Sequence, residues 1–269
     1  MSYLVLKLKK KLKYRINLDS ITPDKLSKKK ISTIKSLKIN YGKEKKEISI
    51  FFSISGKLEK GIIFKGQLNK CDYIGNKMKN GEIIIKGDVG DYLGNKMKNG
   101  KIIVHGSSSN YTGSSLKNGQ ILITKNTGDF LGSSIQGEKL GMSGGVIIIK
   151  GNAGHRVGFK MRSGVIYIKK NAKNFIGCQM IAGTIIVKGK VGSNIGLLMK
   201  RGTIILEKQK LSSPYLNYNG KNNYIFLKVI ESYLKKINNE FNNIFPNTYI
   251  KKYLGDITCK GMGEILIVK

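Results

Sequence analysis

The 269-residue sequence contains no tryptophan and only three cysteines, three prolines and two histidines. Cys71, Cys178 and Cys259 are odd in number, far apart and without CxxC spacing, which excludes a disulfide framework and a cysteine zinc site. No apolar run approaches the roughly 18 residues that span a bilayer. Met1 to Leu8 lacks the uncharged hydrophobic stretch of a signal peptide, so a cytoplasmic chain without a membrane partner is expected. Acidic residues are scarce, 16 against 49 basic ones, for a formal charge of +33. Arginine is scarcer still, confined to Arg15, Arg156, Arg162 and Arg201, so lysine carries the charge. Such a surface repels copies of itself and attracts acidic company. With 40% hydrophobic residues the chain is long enough to bury a substantial core, which excludes global disorder.

Glycine, by contrast, is abundant, and its 33 copies are periodic. Gly81, Gly100 and Gly119 recur every 19 residues, and after one interval of 26 the series resumes at Gly145, Gly164, Gly183 and Gly202. A second column, Gly75, Gly94, Gly113, Gly132, Gly158, Gly177 and Gly196, has the same period and the same interruption. The unit reads G-x-x-M-x-x-G-x-I-x-I-x-G. Its methionine column runs Met78, Met97, Leu116, Met142, Met161, Met180 and Met199.

After the second glycine come Ile83, Ile102, Ile121, Ile147, Ile166, Ile185 and Ile204, and two residues later Ile85, Val104, Ile123, Ile149, Ile168, Val187 and Leu206. Spacing of two with β-branched residues predicts strands. The residue between them is also apolar, which predicts a strand covered on both faces, as parallel strands usually are. A unit this short buries its apolar face only by stacking on its neighbours. The expected fold is therefore mainly β: a right-handed parallel β-helix of about seven 19-residue turns from about Gly66 to Lys208, its glycines supplying positive φ at the bends. A left-handed hexapeptide helix would show three near-equal subunits per turn, and this repeat shows one dominant strand.

Two further columns lie before the first glycine. Tyr73, Tyr92, Tyr111, Phe130, Arg156, Phe175 and Asn194 form an aromatic ladder with two lapses, suited to holding sugars or bases or to packing on itself. Asp72, Asp91, Asn110, Asp129, His155, Asn174 and Ser193 are types that tolerate left-handed backbone and bond their own turns. A metal ladder would need a carboxylate in every turn.

All three prolines, Pro23, Pro214 and Pro246, fall outside the array. Residues 1–60 read as a small N-terminal α/β element, with strands at Leu4–Leu8 and Ile48–Ile54 and, after Thr22-Pro23-Asp24, a lysine-rich helix. Gly61 to Gly66 resembles a truncated repeat that opens the array of residues 61–208. Residues 209–269 hold an amphipathic helix marked by Phe226, Ile230, Tyr233, Leu234 and Ile237, suited to capping or covering the stack, and a last strand, Glu264 to Val268.

Catalytic chemistry needs convergent titratable groups, and none converge in this sequence. His105 and His155 occupy different repeat columns, and G-x-S-x-G, H-E-x-x-H and P-loop motifs are absent. Asp88 and Asp91 read as solvated turn residues before an acid pair, since Ser107 and Asn110 hold the same columns one repeat later. No catalytic, cofactor-binding or metal-binding residue is assigned. The one irregularity is the interval Gln136-Gly137-Glu138-Lys139-Leu140-Gly141-Met142-Ser143-Gly144-Gly145, either a neutral bulge or a partner contact through Gln136, Glu138, Lys139 and Leu140.

The repeat in seven copies, the Gly-Glu-x-x-Gly-Met-x-Gly-Gly stretch ending at Gly145, the upstream Ile21-Thr22-Pro23-Asp24 and the terminal Gly255-Asp256 with Gly261-Met262-Gly263-Glu264-Ile265 together resemble the C subunit of formylmethanofuran dehydrogenase. The array alone is also similar to the glycine-rich C-terminal domain of glutamate synthase. Lys139-Leu140 stands where the dehydrogenase family tends to have an aromatic-basic pair. The resemblance implies a cytoplasmic complex of methanogenic archaea that reduces carbon dioxide and attaches the product to methanofuran as a formyl group. It also implies a molybdenum or tungsten pterin with iron-sulfur clusters in one partner subunit and a metal-dependent amidohydrolase-like site in another. The C subunit itself is then a non-catalytic scaffold without a cofactor.

Two other classes compete: a freestanding glutamate synthase β-helix subunit and a basic nucleic-acid-binding solenoid. The first 46 residues carry fourteen lysines and Arg15 against Asp19, Asp24 and Glu44. Arginine, which reads base edges, is nearly missing, and no recognition motif is present, which argues against nucleic acid.

Overall fold

The structure, a computed structural model, describes all residues but Met1, Lys208, Ser212, Asn247, Thr248 and Lys269, so the expected last residue of the array, Lys208, lies outside the described residues. The chain opens with β1 (Tyr3–Leu8), β2 (Ile16–Asn17), α1 (Pro23–Leu26), α2 (Ile31–Lys35), β3 (Lys38–Tyr41), β4 (Glu44–Glu47), α3 (Ile48–Phe51) and β5 (Phe52–Gly56). The repeats follow as β6 (Gly61–Lys65), β7 (Cys71–Asp72), β8 (Glu82–Lys86), β9 (Lys101–His105), β10 (Gln120–Ile123), β11 (Ser143–Ile149), β12 (Ser163–Ile168), β13 (Thr184–Val187) and β14 (Thr203–Glu207). Last come β15 (Asn217–Asn223), α4 (Phe226–Ile237), a 3-10 turn at Asn239–Phe241, β16 (Tyr249–Gly255) and β17 (Gly263–Val268). The protein is mainly β.

Among the described residues one sheet has 13 strands in the order β15-β16-β17-β14-β13-β12-β11-β10-β9-β8-β6-β1-β5. From β1 to β17 its pairs are parallel and in register, so that Ile62, Ile83, Ile102, Ile121, Ile147, Ile166, Ile185, Ile204 and Ile265 form one continuous row. That row and the Ile85 row are buried in the core with the methionine column, whose seven members are fully enclosed. Burial of β-branched side chains every second residue is what holds these strands in one register, because a slip of one residue would turn the row out of the core. Isolated parallel bridges link Leu68, Val89, Ser108 and Thr127, and likewise Ala153, Ala172 and Val191, so a second part of each repeat also stacks on the next.

Both repeat-glycine columns have positive φ throughout. The need for glycine is steric as well as conformational. At Gly158 a Cβ would lie 2.5 Å from Cδ1 of Ile185, and at Gly164 2.6 Å from Cε of Met142, so each side chain of the core row fits against a bare corner.

Antiparallel strands close both ends of the stack, β5 against β1 and β16 against β17. Reversal of direction ends the lattice, and the outermost strand β15, rich in asparagine and exposed, offers little apolar edge to a further copy. The N-terminal residues share the array's core: Leu18, Ile21, Leu26, Ile34 and Ile48 are buried in the same cluster as Ile83. Pro23 seats against the first bend, where a Cβ on Gly81 would meet it at 2.6 Å.

Three local expectations are corrected. The lysine-rich helix is two short pieces, α1 and α2, because the run Lys28-Lys29-Lys30 offers no apolar stripe between Leu26 and Ile34, and Thr22 makes no side-chain cap. Ile48 to Phe51 is a helical turn instead of strand: Ile48 and Phe51, three apart, both enter the core while Ile50 is 47% exposed. Helix α4 buries Leu227, Glu231 and Leu234 and leaves Tyr233 exposed, a face rotated from the expected one. Glu231 sits there with Lys228, whose Nζ also donates to the Phe245 carbonyl at 2.7 Å.

Candidate interaction surface

The corner before each Gly75-type position carries a ladder of side-chain to backbone hydrogen bonds. The N–H of Asp91 donates to Oδ1 of Asp72 at 2.9 Å, Asn110 to Asp91 at 3.0 Å, Asp129 to Asn110 at 2.8 Å and His155 to Asp129 at 2.7 Å. Each side chain therefore bonds the backbone of the next repeat and not, as the residue types suggest, its own turn. The left-handed residue is the aromatic that follows, with φ of 60° at Tyr73 and 59° at Tyr92. A non-glycine residue there is held by its surroundings.

A second ladder behaves the same way, Asp88 accepting from the Ser107 N–H at 2.7 Å and Asn152 from the Asn171 N–H at 3.1 Å. Asp88 and Asp91 are thus engaged separately and form no acid pair. Arg15 bridges Asp72 at 2.6 Å and Asp91 at 2.9 Å. Burial pushes the Asp72 carboxyl above the ordinary carboxylate value, and the Asp91 charge adds to it, against the pull of the Asp91 N–H and of Arg15.

Tyr73, Tyr92, Tyr111 and Phe130 stack with centroids 4.6, 4.9 and 4.7 Å apart and planes within 9°. The interval matches the strand spacing of about 4.8 Å, so the lattice imposes the stacking, and the rings occupy one another's faces. Arg156 fills a lapse in the ladder, its guanidinium 5.9 Å from the Phe130 centroid and 5.1 Å from that of Phe175.

The hydrogen bonds place the seven inserted residues at Ile135 to Gly141. Ser134 keeps the corner position of Ser115 and Lys160, and Met142, Ser143 and Gly144 rejoin the regular repeat with β11. The loop folds back over the two preceding corners. Glu138 pairs with Lys96 and accepts from the Ser115 hydroxyl at 2.5 Å. Burial raises the Glu138 carboxyl, but bonds from Lys96 and Ser115 and the charges of Lys96 and Lys117 outweigh it and hold it below the usual value. A cleft of about 520 Å³ opens between loop and corner, lined by Lys96, Lys117, Glu138, Lys139 and Leu140. Of the four residues expected to meet a partner, Gln136, Lys139 and Leu140 are exposed and Glu138 is turned inward.

Among the described residues no three metal-ligating side chains come together in one place. His105 is exposed at the end of β9, far along the chain from His155, whose N–H is held by Asp129. Burial pushes the Cys71 thiol up to about 12. Among the described residues no helix is long and apolar enough to cross a membrane.

A family model described as the GXGXG motif matches residues 69–257, well over half of the chain. The chain belongs to the GXGXG motif family. Its relatives include the C subunit of tungsten-containing formylmethanofuran dehydrogenase 2 of Methanothermobacter marburgensis, 36% identical over 94 residues, which are 33% of this chain and 35% of that protein. The C subunit of molybdenum-containing formylmethanofuran dehydrogenase 1 of the same organism is 39% identical over 77 residues, 28% of this chain and 19% of that one. The match thus spans about a third or less of the length of these curated relatives. Among solved structures, a chain of the formyltransferase/hydrolase complex of Methylorubrum extorquens, crystallised in complex with methylofuran, superposes with a TM-score of 0.90 at 30% identity, covering 98% of this chain and 99% of that one.

The apolar residue between the two core rows predicts an outer face that needs a cover, and the C-terminal segment supplies it from β11 to β17.

Proposed function

We propose that this chain is a right-handed parallel β-helix that serves as the C subunit, the non-catalytic scaffold, of a cytoplasmic formylmethanofuran dehydrogenase complex. The observation that carries the reading is the end-to-end likeness to a chain of the formyltransferase/hydrolase complex, and relatives named as dehydrogenase C subunits support it. In-register parallel strands and the second set of parallel bridges support the helical coil. In this reading residues 1–60 close one end, 61–208 form the lattice, and 209–269 close the other end and cover the sheet.

The repeat glycines shape the coil, and Gln136, Lys139 and Leu140 of the loop meet a partner. The polar side chains favour a structural role, because the ladder carboxylates and amides are spent on backbone N–H groups of the next repeat. The chain itself then holds no cofactor. The molybdenum or tungsten pterin, the iron-sulfur clusters and the amidohydrolase-like metal site belong to partner subunits, where the complex reduces carbon dioxide and attaches the formyl group to methanofuran.

The test is purification of the native protein. Stoichiometric co-elution with the pterin and amidohydrolase-like subunits, with activity only in their presence, is the expected result. Elution with glutamate synthase subunits or nucleic acid, or turnover by the lone chain, overturns it. Metal analysis of the complex separates the two assemblies among the relatives: molybdenum or tungsten marks the dehydrogenase, and formyl transfer without either marks the formyltransferase/hydrolase.

A further inference from the structure

The outer face of the 13-stranded sheet carries a continuous apolar row, Val5, Ile63, Ile84, Ile103, Leu122, Ile148, then Tyr167, Ile186, Ile205 and Leu266, one residue per strand and in register. Among the described residues, full burial reaches only half of it. From Ile148 to Leu266 the row is buried beneath Leu227, Leu234, Phe241 and Phe245 of the C-terminal segment. At the margin Lys150 donates to Glu240 at 2.6 Å, and Lys188 donates to the Ile244 carbonyl at 3.0 Å. Val5, Ile63, Ile84 and Ile103 belong to neither buried cluster and stay half-buried. Beside them, two residues further along each strand, Lys7, Lys65, Lys86 and His105 form a column in which Lys7, Lys86 and His105 are exposed.

We propose that this open half of the face docks an amphipathic helical segment of an acidic partner subunit, its apolar side chains on Val5, Ile63, Ile84 and Ile103 and its carboxylates on Lys65 and Lys86. This deepens the scaffold reading and rests on it. The mode of binding is displayed by the chain's own cover, which meets the continuation of the same row with aromatic and leucine side chains and meets the continuation of the same lysine column with Glu240. Four strands at about 4.8 Å span roughly 15 Å, the length of about ten helical residues, close to the 12 of α4. Charge selects the occupant. A second copy at +33 would set lysine column against lysine column, and a phosphate backbone would satisfy the lysines while leaving the isoleucines wet.

The experiment co-expresses the tagged full chain with the pterin and amidohydrolase-like subunits and quantifies what co-elutes. Ile84→Lys with Ile103→Lys is expected to weaken assembly about tenfold or more. Lys65→Glu with Lys86→Glu, which leaves the aliphatic row intact and serves if the first variant folds poorly, is expected to lower it severalfold. Val229→Lys, on the exposed side of α4, leaves it unchanged. A photo-crosslinking residue at position 84 is expected to capture an acidic helical peptide of one of those subunits. Folded variants of both kinds that assemble as wild type overturn the docking face and leave the scaffold reading standing, as does a crosslink to a second copy or to nucleic acid. A wild-type chain that retains no subunit overturns both.

Discussion

Lys150, at the end of β11, donates to the carboxylate of Glu240 at 2.6 Å across 90 residues of sequence, and the next residue, Phe241, stands edge-on to Tyr167 at 4.7 Å. The ion pair and the ring contact together dock the C-terminal segment on the sheet. They are unequal partners. The bond from Lys150 holds the Glu240 carboxyl below its usual value, but that carboxylate is 54% exposed, so its share is well under about 1 kcal/mol.

Phe241→Ala is therefore expected to destabilise the cover by about 3 kcal/mol, and Glu240→Gln by a small fraction of that. Hydrogen exchange in α4 checks both. Equal exchange in the two variants would show that the ring contributes no more than the ion pair.

Met161 is fully enclosed, with its Cε directed at the bend of the next repeat, where a Cβ on Gly183 would lie 2.9 Å away. Met161→Ala leaves a cavity that neighbouring glycines cannot fill, and is expected to cost about 2–5 kcal/mol. Denaturant unfolding measures this, and a midpoint equal to wild type contradicts the assignment of the column to the core.

Deleting Ile135 to Gly141 joins Ser134 to Met142 as the other repeats join their corners. The variant is expected to fold with a melting temperature within a few degrees of wild type, since the loop supplies none of the fully buried core side chains. Assembly with partner subunits is expected to weaken. A stable deletion variant that assembles normally shows the loop to be a neutral bulge.

The loop's anchor is acid-sensitive. Glu138 has a folded pKa held below the ordinary carboxylate value of 4.5, so its contribution is present above pH 4.5 and is lost as pH falls through the folded value. Protection of the loop amides, relative to their intrinsic exchange at each pH, is expected to fall at acid pH in wild type and to be low at every pH in Glu138→Gln. Wild-type loop protection that does not change with pH rules the anchor out.

Arg156 interrupts a column of rings whose spacing the lattice sets. Arg156→Tyr is expected to stay within about 1 kcal/mol of wild type by restoring the Phe130 to Phe175 stack, whereas Arg156→Ala opens a gap and loses more. Thermal melts of the pair decide, and equal losses would show that the ladder contributes nothing through its rings.

The repeat and its strand positions were legible in the sequence because one constraint repeats: Ile83 and its successors must fall at the same point of each repeat to form a row, and glycine must stand wherever a bend meets a core side chain. Local chemistry of that kind is written in residue type and spacing. What Ile48, Leu227 or Glu138 does is decided by neighbours distant in sequence. Ile48 to Phe51 forms a turn because the core lies on one side of both ends of it. Asp72 serves the backbone of Asp91 because stacking brings the next repeat within 2.9 Å. The apolar residue between the core rows announced a covered strand in every copy, yet only the tertiary structure decided that the C-terminal segment buries that face from β17 to β11, since its length and its anchor at Glu240, not the repeat, set where full burial ends.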